Sequence, residues 1–198
     1  MGRHLEFDIS KAKNAATALF WTKGYHAATL ELLCSHMNIS RSSFYATMGD
    51  KRTLFIACME VYLENKLNEY SKISTLDQLK QQVLSRFVES KSPKAHTGCM
   101  LVNTATEMAD VDDELVHLIQ KSIKIGTQHR VNYFRRMGCT QLQAVRLGQF
   151  YQVFVEGLLM SSRRRVPKQQ LKTVIETAFE FMELDIKHSA SSRATSDH

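Results

Sequence analysis

Between Thr29 and Lys51 the chain reads TLELLCSHMNISRSSFYATMGDK, and the reactive groups in this stretch suit the edges and backbone of a nucleic acid. Arg41 supplies a guanidinium that can grip guanine. Ser42, Ser43 and Thr47 supply hydroxyls for bases or phosphates, and Ala46 is small enough to tolerate a thymine methyl. A phenol at Tyr45 and an ammonium at Lys51 flank them. Groups of this kind fix a protein on the phosphate backbone, while an exposed helix face makes the sequence choice.

For these groups to act together, two short helices must hold them on one side. Thr29 is placed to cap a first helix whose apolar side is Leu32, Leu33, His36 and Met37, three and four residues apart. Asn38 and Ile39 break that run. Ser40 then caps a second helix, Arg41 to Met48, with Phe44 and Met48 inward and Arg41, Ser42, Ser43, Ala46 and Thr47 outward. Two capped helices joined by a tight turn have the form of a helix-turn-helix. Upstream, Asp8 or Ser10 can cap a helix with the face Ala12, Ala15, Ala16, Leu19 and Phe20, ended by Gly24, and Tyr25 closes over the small core.

The stretch from Phe7 to Leu54 resembles the TetR family of bacterial one-component regulators. The resemblance is carried by FWTKGY at Phe20 to Tyr25, NISRSSFYATMGDKRTLF at Asn38 to Phe55 and TGCMLVN at Thr97 to Asn103. Beyond about Glu64 it rests on helix pattern, on GCMLVN and on VFVEGLLM at Val153 to Met160. It implies that Thr29, Tyr45 and Lys51 meet phosphates, that Arg41, Ser42, Ser43 and Thr47 face bases, and that Ser40 belongs to the same DNA-binding set. It further implies that the two C-terminal helices form a four-helix dimer interface, and that the usual mode of action is repression.

Composition points the same way. The 198 residues include only two prolines, Pro93 and Pro167, and eight glycines, and no stretch alternates with period two, so long helices are favoured over sheet. The formal charge is +6 and the pI about 9.2, a balance that favours acidic partners. Over Met1 to Arg52 seven cations oppose four carboxylates, so a quarter of the chain holds half the excess charge. Four scattered cysteines, Cys34, Cys58, Cys99 and Cys139, without CxxC spacing or a signal peptide, read as reduced cytosolic thiols. The apolar runs are too short to span a bilayer, so a soluble, cytoplasmic protein with no membrane partner is expected.

Further along, Asp50 caps a long helix with Leu54, Phe55, Cys58, Val61 and Tyr62 inward, reaching Tyr70 or beyond. Ser71 to Thr75 reads as a connector, and a helix carrying Leu76, Leu79, Val83, Leu84 and Phe87 follows. Ser90 to Gly98 reads as a loop. Helices are then expected over Cys99 to Ala109, Asp112 to Met137 and Thr140 to Ser162. The last opens at Pro167, with the stripe Leu171, Val174, Ile175, Ala178, Phe179, Met182 and Ile186. The apolar stripes of the last two exceed one partner face, which favours a homodimer. A two-fold pair of helix-turn-helix units also matches successive major grooves.

Candidates for a ligand site lie between the linker helix and that interface: Met59, Tyr62, Phe87, Met100, Asn103, Thr104, Glu107, Met108, Thr127, Phe134, Tyr151 and Phe154. Met and aromatic residues at helical spacing are most often core, whereas Asn103, Thr104 and Glu107 are polar groups that need partners on a buried helix. Cys99, directly after Gly98 at a helix start and near Lys94 and His96, could act as a redox or electrophile sensor or simply pack. Glu114 and His117 have the spacing of a di-iron pair. The second such pair that a di-iron centre needs does not occur, and no Ser-His-Asp set or phosphate loop stands out. No metal, cofactor or enzymatic activity is expected.

These readings converge on an all-α protein. Residues 1–52 would form a three-helix helix-turn-helix DNA-binding domain, 53–188 a helical ligand-binding and dimerisation domain, and 189–198 a disordered tail. The expected partners are a double-stranded DNA operator, a small-molecule effector and a second copy of the chain. A constitutive DNA-binding protein without inducer is the nearest rival, and a helical-bundle metalloenzyme the more distant one.

Overall fold

One carboxylate satisfies the first amides of the first described helix. Asp8 accepts hydrogen bonds from the N–H groups of Ser10 and Lys11 at 2.9 and 3.1 Å, opening α1 (Ile9–Lys23). The computed structural model describes residues 7–91, 97–108 and 113–194, with side chains as far as 187. Among these residues every regular element is helical. After α1 come α2 (Leu30–Met37), α3 (Arg41–Met48), α4 (Lys51–Ser71), α5 (Leu76–Leu84), α6 (Met100–Met108), α7 (Asp113–Arg136), α8 (Gln141–Arg163) and α9 (Lys168–Ala194).

The chain divides into two compact units. Met1–Lys66 with Cys99–Ile119 forms one, and Leu67–Gly98 with Gln120–His198 the other. This partition departs from the expected boundary after residue 52. Most of α4, all of α6 and the start of α7 group with the helix-turn-helix.

In the first unit, α1 buries Ala12, Ala16, Leu19 and Phe20, and Ala15 is only half-buried. Thr17 joins this face because its hydroxyl donates to the Lys13 carbonyl at 2.8 Å. Phe20 meets the edge of Phe55 from α4 at 4.8 Å between ring centroids, and Tyr25 meets the same ring at 4.9 Å, closing the small core as expected. Asp50 caps α4 by accepting from the Thr53 N–H at 2.7 Å. That bond holds its carboxyl below the ordinary value. α4 buries Leu54, Phe55, Cys58, Met59 and Tyr62, while Val61 is only half-buried.

The inward face of α2 is rotated from the sequence expectation. Leu33, Cys34 and Met37 are buried, whereas Leu32 is 37% exposed and His36 is exposed, its Nδ1 lying 2.9 Å from the Leu32 carbonyl. Cys34 takes an inner place as a small hydrophobe, and burial pushes its thiol up.

In the second unit, Thr75 and Gln78 form a reciprocal capping box for α5. The helix does not continue uniformly to Phe87. A single π-helical turn, Ser85–Glu89, follows Leu84 and carries the buried Phe87. α9 packs on α5, on that turn and on α8. Gly138, at φ +88°, ends α7, and Thr140 caps α8. α9 continues to Ala194, into the stretch read as tail from Ser189, while 195–198 lie outside the described residues. The parts of the expected loop around Pro93, Lys94 and His96, and the expected helix start at Asp112, also lie outside them.

Truncating the ring that holds α3 to its unit should be costly, because Phe44 is fully buried. Phe44→Ala is expected to destabilise the protein by about 3 to 5 kcal/mol. Chemical denaturation of the parent and the variant measures the loss, and a loss below about 1 kcal/mol would contradict a packing role for that ring.

Candidate nucleic-acid interface

The surface suited to nucleic acid is built on two caps and one sharp turn. Thr29 adopts an extended backbone, and its hydroxyl accepts from the Leu32 N–H at 3.3 Å, starting α2. Asn38 takes the left-handed conformation at φ +53°, ψ +49°, and the Ile39 N–H returns to the Cys34 carbonyl at 3.0 Å, so α2 stops and the chain reverses. Ser40 starts α3. Its Oγ accepts from the Ser43 N–H at 3.1 Å and donates to Ser43 Oγ at 2.9 Å. The hydroxyl of Ser42 lies 2.9 Å from the same Oγ; with the proton of Ser40 already committed, Ser42 is the donor.

Below this polar edge, Phe44 and Met48 are buried at 0% and 5% exposure, so the opposite face of α3 is fixed outward. Arg41, Ser42 and Ala46 are exposed and Ser43 and Thr47 half-buried, matching the expected outward set. Tyr45 is 57% exposed and meets Phe44 edge-on at 5.6 Å. Thr29 is also exposed, so both helix-starting hydroxyls and the α3 face are open to a partner.

Lys51 is half-buried at the start of α4, and its ammonium sits 4.5 Å from the centroid of the Tyr25 ring. It donates to the His26 carbonyl at 3.4 Å. Burial pulls its basicity down, and the carboxylate of Glu107 opposes that effect. Arg52 forms an ion pair with Glu114 at 2.8 Å, giving that carboxylate a structural partner.

Glu107 itself is the residue whose place the sequence did not reveal. Sequence places it among the ligand candidates, yet its two carboxylate oxygens accept from the backbone N–H groups of Tyr25 at 2.9 Å and His26 at 2.7 Å. The turn after α1 is thereby clamped by α6. Gly24 makes the clamp possible, having φ +84° and no side chain: a Cβ there would lie 2.6 Å from Glu107 Oε2. The only sequence signal was a carboxylate on an otherwise buried helix. Its partner proved to be main chain.

The remaining candidates separate between the units. Met59, Tyr62, Met100, Thr104 and Met108 are buried in the first, Asn103 is half-buried there, and Thr104 is satisfied by donating to the Met100 carbonyl at 2.8 Å. Phe87, Phe134 and Tyr151 are buried in the second, with Thr127 and Phe154 half-buried. Cys99 directly precedes α6, half-buried, and its sulfur lies 3.6 Å from the Tyr62 hydroxyl, which donates to it. Cys34, Cys58 and Cys139 are buried, and burial pushes the Cys58 thiol up to about 11.

Removing the clamp should loosen the turn that precedes α2. Glu107→Ala is expected to lower stability by about 1.5 to 3 kcal/mol, the usual range for hydrogen bonds to a charged acceptor, and to weaken DNA binding in parallel. Thermal unfolding and a DNA-binding isotherm on the same sample check this. An unchanged isotherm would mean that the turn keeps its shape without the carboxylate.

Residues 14–58 match the family described as bacterial regulatory proteins, tetR family. The chain is 31% identical over 129 residues to the uncharacterized HTH-type transcriptional regulator YezE of Bacillus subtilis, a match covering 63% of this chain and 66% of that protein. It is 22% identical over 191 residues to the HTH-type transcriptional repressor ComR of Escherichia coli, covering 89% of each. Among solved structures, the fold is similar to a cysteine-substituted form of the TetR family regulator CifR complexed with 26bp double-strand operator DNA. That likeness has a TM-score of 0.67 at 25% identity and covers 90% of this chain and 98% of that one. A TetR family regulator from Agrobacterium tumefaciens gives 0.70 at 16% identity, over 86% and 95%. With capped helices, a reversed turn and an outward polar face all in place within the matched residues, the chain belongs to the TetR family of DNA-binding bacterial transcriptional regulators.

Proposed function

We propose that this protein is a homodimeric, cytoplasmic repressor that leaves its operator when a small molecule occupies the C-terminal bundle. The observation that carries DNA reading is the outward face of α3, where Arg41, Ser42, Ser43 and Thr47 stand on a helix pinned from behind by Phe44. In this reading Arg41 and the hydroxyls face bases, while Thr29, Tyr45 and Lys51 hold phosphates and fix register. Repression is supported by the likeness to ComR, described as a repressor.

A second copy of the chain is supported by an apolar face that its own unit leaves open. On α8, Leu142 is 79% exposed, Val153 70% and Met160 48%; on α9, Phe181 is 64% and Leu184 52%. Val174, expected in the inward stripe of α9, is 46% exposed and belongs to this outer set. The α8 members lie on one helical side, with Gly157 between Val153 and Met160, and a Cβ at Gly157 would meet nothing within 4 Å. Adjoining apolar stripes on two packed helices suit a self-complementary two-fold interface. α4, which contributes residues to both units, would transmit ligand occupancy by changing the separation of the two α3 helices.

Operator selection from genomic fragments, repeated with cell extract, tests the reading as a whole. Fragments retained by the protein and released by extract are expected. Retention that no extract alters would favour constitutive binding.

Two substitutions separate the DNA contacts. Arg41→Ala should lose about 1 to 3 kcal/mol of discrimination at particular bases. Lys51→Ala should weaken all sequences alike and flatten the dependence of log affinity on log salt by about 0.9 per protomer. If both variants keep the sequence preference and salt slope of the parent, α3 is not the reading helix.

Gly157→Leu should leave the monomer folded, since its surroundings are open, but should overpack the two-fold contact by about 1 to 3 kcal/mol. Sedimentation is expected to show weakened association with unchanged helicity. A parent that sediments as a monomer at concentrations where it binds operator would end the dimer proposal.

A further inference from the structure

We propose that Arg130, in the second unit, anchors a binding site for the carboxylate of a small organic acid; this gives a chemical class to the effector and rests on the ligand-responsive reading above. α7 places Thr127 and Arg130 one turn apart, and α8 brings Gln152 against them. Arg130 Nη2 donates to Gln152 Oε1 at 2.8 Å and lies 3.4 Å from Thr127 Oγ1. Thr127 also contacts Gln152 Oε1, and the Gln152 amide donates to Glu156 Oε1 at 3.1 Å. The helices can approach this closely because position 148 is glycine: a Cβ there would stand 3.3 Å from the backbone nitrogen of Val131.

The cluster is unfinished in two ways. Arg130 Nε is buried and has no acceptor, the only buried side-chain nitrogen or oxygen in that condition among the described residues. No carboxylate of the described residues lies within ion-pair distance of its guanidinium either; Gln152 stands where a counter-ion would, turning its oxygen to Arg130 and its nitrogen to Glu156. A buried donor without an acceptor and a half-buried charge without a partner are both costly, and one anionic oxygen group relieves both. Arginine suits a carboxylate, which its planar N–H groups match.

Charge limits the ligand. Arg130 is the one cation of the cluster and Glu156 sits one amide away, so a monoanion fits and a multiply charged phosphate does not. Nearby, Tyr151 is fully buried and hydrogen-bonded to Tyr70; two phenols sharing one hydrogen bond leave one O–H free to donate. Burial raises Tyr151 well above its ordinary value, so it stays protonated at neutral pH. Its ring centroid lies 6.4 Å from those of Phe154 and Phe179, so the surroundings of the phenol are aromatic.

The full-length protein is heated with millimolar benzoate, salicylate or octanoate, and with neutral benzamide as control. At least one carboxylate is expected to raise the Tm of the parent by about 2 to 5 °C, with benzamide inactive and Arg130→Gln unresponsive. No rise with any of the three acids, or an equal rise in Arg130→Gln, overturns the proposal. If Arg130→Gln does not fold, the parent answers alone: the Arg130 Nε–H resonance, assigned with Arg130→Lys, must move on adding the acid, and an unmoved resonance overturns the site. Operator binding separates the two readings. Acid binding through Arg130 that leaves operator affinity unchanged keeps the site and defeats the ligand-responsive reading. Release by cell extract with no acid bound defeats the site and keeps that reading.

Discussion

An eight-residue helix cannot sustain itself in water, because nucleation costs more than so few hydrogen bonds return. α3 is such a helix, and the outward face proposed to read DNA depends on what holds it. Phe44 and Met48 fasten it from below, Ser40 satisfies its first amides, and the left-handed Asn38 sets where it begins. Although the hydroxyls of Ser42 and Ser43 join the Ser40 cap, its outer side chains are not part of that buried fastening. They are therefore free to be chosen for what they contact, and binding specificity can differ between proteins of this fold while the scaffold stays the same.

The reading unit extends beyond the three N-terminal helices. α6, distant in sequence, closes the turn after α1 through Glu107, and the same turn offers the His26 carbonyl and the Tyr25 ring to Lys51. A cation suited to a phosphate thus shares its support with a carboxylate on a helix outside the matched family segment. Anything that displaces α6 acts on the backbone that leads into α2, with no need to deform α2 or α3.

Local signals made much of this legible. Caps at Asp8, Thr29, Ser40, Asp50 and Thr140, stops at Gly24 and Gly138, and the inward pair Phe44 and Met48 follow from short-range rules and stand in the structure. What escaped was set by partners far along the chain. Periodicity on an eight-residue helix could not decide between Leu32 and Cys34 for the inner face. Val174 was apolar and in register with a buried stripe, yet lies outside it, since apolar spacing does not tell a core from a contact surface. Glu107 and Arg130 are polar groups in helical bundles, and only coordinates show that one is answered by main chain and the other left incomplete.

Gly24 carries a consequence for how relatives of this protein can vary. Two independent requirements meet at that one position, a positive φ and room beneath a carboxylate. The first is local and would persist whatever α6 carried; the second exists only while residue 107 is a carboxylate reaching the turn. In relatives where residue 107 is small the steric demand lapses, but the conformational one does not, because φ +84° with ψ +173° is backbone that glycine alone adopts. The dependence between the two positions therefore runs one way: position 24 stays glycine whatever residue 107 becomes, while a carboxylate at 107 can reach the turn only over a glycine.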